Sequence, residues 1–431
     1  MRRARTSAMR LSALAGVAVL GMVLAGCSGS GGNSSDPQSQ NLDGKGPITY
    51  VQGKDNSNVV RPLIAKWNKA HPDEKVTFKE QSDQADQQHD DLVQNFQAKN
   101  VHYDVVDVDV VWTAEFAAKG WLQPLTGSMA VKNSDLLKPT IATGNYNGTQ
   151  YAAPQTSDGG LLYYRTDLVK TAPTSWDDMM KDCTIAKQAG IGCYAGQFAQ
   201  YEGLTVNTAE AINTAGGTIV AKNGKTPTVN SPESKVGLQR LVDGFKDGNI
   251  PADAITYQEE QGRQAFEAGK LMFLRNWAYV YNLAKTDGSS VVKDKFAIAP
   301  LPGNGDGQPG ASSLGGHNAA ISVYSKHKQT AHDFVEFLQS KETQKFFLTQ
   351  GSLAPVIGSL YTEPDLVKQF GFLPTLKKSI ESAVPRPVSP FYPAVTKAIQ
   401  DNSYAALKGD KTVDQALKDM SDAISAADTG S

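Results

Sequence analysis

Helix and strand signals alternate along this chain, and that alternation restricts it to few architectures. Residues 48–52 read as a short strand. Val60, Leu63, Ile64 and Trp67 fall at i, i+3, i+4 and i+7, the apolar stripe of an amphipathic helix. His71-Pro72-Asp73 stops it, and 76–78 reads as a second strand. Residues 90–99 are expected to be helical, with Leu92 and Phe96 on one side. The run YDVVDVDVVW (103–112) has the Val content of a buried strand, and Thr113 is expected to cap the helix behind it. This β-α-β-α order predicts a largely parallel sheet with helices on both faces. The rhythm resumes with strands at 159–164, 271–273 and 319–323. Helices are expected at 176–182, 204–215, 234–248 and 263–269. Ala331, Phe334, Val335 and Leu338 form another helical stripe, Ser340 caps the next helix, and Gly351 ends it. The tail after Val395 is helical again, and there is no internal repeat.

A chain of 431 residues exceeds what one core holds, about 250–300 residues, so two domains are expected. Its N-terminus is expected to be processed rather than to join the folded body. Arg2, Arg3, Arg5 and Arg10 precede the uncharged apolar run 11–24, too short to span about 30 Å of hydrocarbon. Leu24-Ala25-Gly26-Cys27 resembles a bacterial lipobox. The resemblance implies cleavage before Cys27 and a diacylglyceryl group on its thiol. The Gly/Ser/Asn/Asp-rich tract behind it is expected to behave as a flexible tether. Residues 1–26 are thus expected to be a signal peptide and 27–46 a leash, holding the body on the outer face of the cytoplasmic membrane. Arg2-Arg3 lacks a surrounding twin-arginine motif, so the export route stays open. The formal charge is −2, and without the four leader arginines it is −6. Nucleic acid demands clustered positive charge, so it is excluded as a partner. Cys183 and Cys193, ten residues apart in an exported chain, point to a disulfide, with two free thiols as the alternative. No His stands near them at zinc-ligand spacing, so no metal is expected.

Six segments carry a resemblance to a known family: DVDVVWTAEFAAKGWLQPL (107–125), SDGGLLYYRTDL (157–168), YEGLTVNTAEAINTAGG (201–217), FEAGKLMFLRNWAYVY (266–281), SSLGGHNAAISVYSK (312–326) and RPVSPFYPAV (386–395). Together they resemble the extracellular solute-binding proteins of bacterial ABC sugar importers, most of all the trehalose/maltose-type lipoproteins. The resemblance implies an α/β, two-lobed, type II periplasmic-binding-protein-like clamshell, each lobe a doubly wound sandwich. The implied N-terminal lobe is 47–154 plus 318–353, and the C-terminal lobe 159–313 plus 356–428. A sugar held in the cleft stabilises the closed state, which is presented to the permease subunits. A monomer with no cofactor is expected.

A sugar offers hydroxyls on its rim and apolar C–H faces, which call for carboxylates, amides, Arg and an aromatic platform. Asp107 and Asp109 share a face near the end of the Val-rich strand, where doubly wound sheets place ligands. The family motif puts the sugar-binding carboxylate at Asp109; a helix-capping or loop role is the alternative. The resemblance also implies sugar contacts from Asp158, from Tyr201 and Glu202, and from Trp277 as stacking platform. For Asp158 the plain alternative is a turn before Gly159-Gly160; for Glu202 it is first-turn dipole compensation. Gly316 is expected to let the backbone approach the ligand. His317 stands where the nearest relatives often carry Trp, which leaves the disaccharide open. Arg386, between two prolines, matches a family Arg, and the resemblance implies that its fork points into the cleft and bridges two hydroxyls; a surface Arg in a Pro-rich turn is the alternative. Asp55 is a weaker candidate. Trp67, Trp121 and Trp176 read as core, and His327 and His332 as helix-surface residues.

Two rival functions are open to an exported chain of this kind. A glycosidase needs two carboxylates about 5–9.5 Å apart, which sequence does not show. No Gly-x-Ser-x-Gly elbow and no His-Glu-x-x-His occurs, and GNGDGQPG (303–310) is no P-loop. No enzyme is expected. The second rival, a lipoprotein that reports ligand occupancy to a membrane partner, would use the same fold.

Overall fold

The computed structural model describes residues 41–427, so the expected leader, Cys27 and most of the expected leash lie outside it. Among the described residues no helix is long and apolar enough to cross a membrane.

The first half follows the predicted alternation: β1 (Ile48–Gln52), α1 (Val60–Ala70), β2 (Val76–Glu80), α2 (Ala85–Gln97), β3 (Val105–Asp109) and α3 (Thr113–Ala118). Val60, Leu63, Ile64 and Trp67 are all buried, so the stripe of α1 is its core face. Every residue of β3 is buried, because helices cover the sheet on both sides. Two boundaries differ from expectation. Helix α2 starts five residues early, since its polar first turn carries no stripe to read. Thr113 is the first residue of α3 rather than its cap; Trp112 precedes it, and the Thr113 hydroxyl accepts from Asn318 at 3.2 Å.

The chain continues through β4 (Ala152–Gly159), β5 (Leu161–Arg165), α4 (Trp176–Ala189), β6 (Gly192–Ala195), α5 (Glu202–Thr214), α6 (Glu259–Glu267), β7 (Leu271–Asn276), β8 (Phe296–Ala299) and β9 (Ser313–Ile321). It ends with α7 (Lys328–Gln339), α8 (Lys341–Gly351), β10 (Val384–Pro385), α9 (Tyr392–Leu407) and α10 (Val413–Ala427). One sheet has the order β10-β9-β3-β1-β2, with β4 paired to β9; the other runs β8-β5-β7-β6. Two α/β layers result. The expected largely parallel sheet is corrected here. β1 pairs in parallel with β2 and β3, but β9 runs antiparallel to both β3 and β4, and β5 antiparallel to β7 and β8. β9 starts six residues before the expected strand, through Gly315 and Gly316, because partners on both sides hold a segment of low strand propensity.

Ser175 caps α4 by accepting from the Asp178 N–H, and Gly190 ends it in the left-handed region at φ 70°. That turn brings Cys193 of β6 to Cys183 of α4, with their sulfurs 2.06 Å apart and both side chains buried. Two expectations fail at the surface. Residues 41–46, assigned to the leash, pack on α7: the Gly44 carbonyl accepts from the Gln329 N–H at 3.0 Å, and Lys45 pairs with Glu74 and Asp333. His332 is only 5 % exposed, because the helix turns it inward toward the Ala130 carbonyl.

Candidate ligand-binding site

Strand ends and loops from both sheets enclose a cavity of about 230 Å³. Asp107 and Asp109 project from the end of β3, Thr156 and Asp158 from β4, and Gly315, Gly316 and His317 from β9. The loop behind β1 adds Asp55, the starts of α5 and α6 add Glu202 and Glu259, and β7 leads to Trp277. Arg386 follows β10 directly. All nine residues expected to touch a sugar therefore border one space, although several spend their polar atoms on the protein itself.

Arg386 departs from its expected role. Its fork bridges two carboxylates rather than lying free for hydroxyls: Nη2 donates to Asp109 Oδ1 at 2.6 Å, and Nη1 donates to Glu202 Oε1. Glu202 also accepts from the Tyr392 hydroxyl and, at 2.7 Å, from Thr396 Oγ1. It opens α5 as a first-turn acid, so its structural role is filled. Burial raises its carboxyl above the ordinary range, against the opposing pull of Arg386. Asp55 is similarly engaged, accepting from the Val59 and Val60 N–H groups at the start of α1. Tyr201 is buried and donates its hydroxyl to Glu259 Oε2 at 2.5 Å.

Other polar atoms are left open. Asp107 Oδ1, Asp158 Oδ1 and Arg386 Nε are buried with no hydrogen-bond partner among the described residues. Burial pushes the Asp158 carboxyl up to about 7, partly offset by the Ala278 N–H. At neutral pH it can therefore give or take a hydrogen bond. His317 Nδ1 lies 2.9 Å from Asp107 Oδ2. Burial disfavours the imidazolium, but the charges of Asp107, Asp109 and Asp158 outweigh it and raise His317 to about 9. The site thus holds a cationic ring where a second aromatic platform would stand.

Trp277 is half-buried in the cavity wall. The Arg275 guanidinium lies over its ring at 3.8 Å and is fixed by Glu210 and Gln197. A Cβ on Gly315 would sit 3.0 Å from the indole, so that glycine makes room for the ring. Gly316 borders the cavity and also carries a constraint within the sheet. At φ +108° its missing Cβ would meet the Thr156 carbonyl oxygen at 2.4 Å, so its freedom serves the close pairing of β9 with β4.

Residues 52–345 match the family model described as bacterial extracellular solute-binding protein. The chain belongs to this family. Its members bind solutes outside the cell rather than transform them. Among curated relatives, a probable ABC transporter-binding protein of Deinococcus radiodurans is 34% identical over 347 residues, 76% of this chain and 80% of the relative. An arabinooligosaccharide-binding protein of Bacillus subtilis is 25% identical over 340 residues, 75% of this chain and 74% of the relative. A maltose-bound structure of T. maritima MalE3 superposes with a TM-score of 0.83 at 30% identity, covering 88% of this chain and 98% of that one. The architecture is the two-lobed α/β fold of type II solute-binding proteins.

In this solute-binding protein, sequence reasoning missed Glu259, Glu260 and Tyr279. Glu259 anchors Tyr201 and hydrogen-bonds the Trp277 indole. Glu260 holds Arg263 at 2.7 Å and accepts from the Tyr279 hydroxyl. The available signal was the capping box formed by Gln258 and Gln261, which marks a helix start there.

Proposed function

We propose that this protein captures a di- or oligosaccharide, an α-glucoside of the trehalose or maltose type, and delivers it to the permease subunits of an ABC importer. One observation carries the reading: a half-buried indole shares a cavity with three buried polar atoms that have no hydrogen-bond partner among the described residues. An aromatic face takes sugar C–H groups, and carboxylate and guanidinium edges take hydroxyls. The sugar names attached to the relatives support the same class. Asp107, Asp158 and Arg386 Nε are the proposed hydroxyl partners, Trp277 the platform, and His317 a hydrogen-bonding ring. Asp109 and Glu202 hold Arg386 in place. A ligand touching both lobes favours closure by its differential affinity for the closed state.

Thermal unfolding of the soluble form lacking residues 1–27 tests this against trehalose, maltose, sucrose, cellobiose and monosaccharides, with amino acids as controls. A ligand at 100 times its Kd adds about 2.7 kcal/mol, a readily visible melting shift. A shift with an α-glucoside is expected; a shift with an amino acid and none with any sugar would overturn the reading. We also propose an extracytoplasmic monomer, lipid-anchored through Cys27, with Cys183 and Cys193 oxidised. Cys27→Ser should move the full-length protein from the membrane fraction to the medium or periplasm, since one thiol carries the anchor. Unchanged membrane retention in fractionated cells rules out that anchor.

A further inference from the structure

Helix α7 carries a polar cluster that the sugar-binding reading does not use. His332, Asp333 and Glu336 each offer a ligand atom, and these atoms lie within 4.8 Å of one another. His332 Nε2 lies 3.3 Å from the Ala130 carbonyl oxygen. A carbonyl only accepts, so Nε2 carries the proton, and in the neutral ring Nδ1 keeps its lone pair. Nδ1 is buried, with no hydrogen-bond partner among the described residues, and Asp333 Oδ1 lies 3.8 Å from it. A buried lone pair beside a carboxylate is a costly arrangement for the protein alone. A cation between them removes the cost.

We propose that His332 Nδ1, Asp333 and Glu336 bind a divalent transition-metal ion, zinc in the first instance. Positions 332 and 336 are i and i+4 on one helix face. One imidazole and two carboxylates make a three-ligand set that leaves positions for water; zinc accepts it, whereas calcium and magnesium want oxygen alone. The Ala130 carbonyl already fills the outer shell, in the way metal-bound imidazoles fix their tautomer. The Glu336 carboxylate has no partner among the described residues. Asp333 accepts from Gln329 Nε2 at 2.8 Å and meets Lys45 Nζ at 3.6 Å. The Lys45 contact is exposed and of little worth, so the ion displaces it at small cost. Zinc thereby competes with one of the several contacts that hold residues 41–46 on α7.

Calorimetric titration of chelator-dialysed protein with zinc chloride tests the site. One ion per chain is expected, with a raised melting temperature. Glu336→Gln and Asp333→Asn keep the packing and should each weaken zinc binding about tenfold or more. His332→Gln should do the same; if that buried variant unfolds, the two carboxylate variants decide. Absence of stoichiometric binding overturns the proposal. So does unchanged affinity in Glu336→Gln and Asp333→Asn, which would place the ion at other histidines.

Discussion

Replacing Arg386 by Met should cost the fold about 3–5 kcal/mol, because it strands a buried carboxylate. Arg386 is 4 % exposed, and its two terminal nitrogens meet Glu202 and Asp109. Met keeps most of the stem and removes the charge. Glu202 then remains buried with only the Tyr392 and Thr396 hydroxyls to oppose its charge. The pH dependence follows from its carboxyl. Burial already raises it above the ordinary value with Arg386 present, and loss of the cation raises it further. A carboxyl raised in the folded state penalises folding fully above that raised pKa. The penalty fades as pH falls through it and is gone below the unfolded value of about 4.3. The stability gap between parent and variant should therefore be widest at pH 7–8 and narrow toward pH 4. Denaturant unfolding across that range measures it. A gap below about 1 kcal/mol, or one equal at pH 5 and pH 8, would show that solvent replaces the guanidinium.

The same residue shows where sequence reading reaches and where it stops. Arg386 was legible as a cleft residue, but its partners were not, since Glu202 and Asp109 lie 184 and 277 positions away. Asp107 and Asp109 were readable because strand alternation fixes which residues share a face. Gly316 reads in the sequence as a close approach of backbone to ligand. Its further constraint from β4 is invisible there, because pairing of antiparallel strands distant in sequence leaves no local periodicity. The early start of β9 went unread for the same reason: Gly315, Gly316 and His317 have no strand preference of their own, and β3 and β4 supply it. His332 looked like a surface residue because a single His beside a clean apolar stripe carries no sign of which way the helix rolls.

Trp277→Ala should weaken binding of the sugar identified by the melting panel by about 2–3 kcal/mol, roughly 30–150-fold. The ring contributes apolar area and a broad π-face in the cavity wall, whereas His317 beside Asp107 is cationic and offers hydrogen bonds instead. The fold should tolerate the change. The backbone at 277 is held independently of the indole: the Trp277 N–H donates to Asn276 Oδ1 at 2.8 Å, and its carbonyl accepts from the Tyr163 hydroxyl at 2.7 Å. Arg275 loses its cation–π contact but keeps Glu210 and Gln197, so its charge stays paired. Trp277→Phe should recover part of the loss, because a smaller ring still presents a face. Calorimetric titration gives the affinities and unliganded melting checks the fold. An alanine variant within threefold of the parent would remove Trp277 as the platform. An affinity loss matched by an equal loss in unliganded stability would make the ring a packing element. A weakened ligand on an intact fold requires the indole to act on the sugar directly.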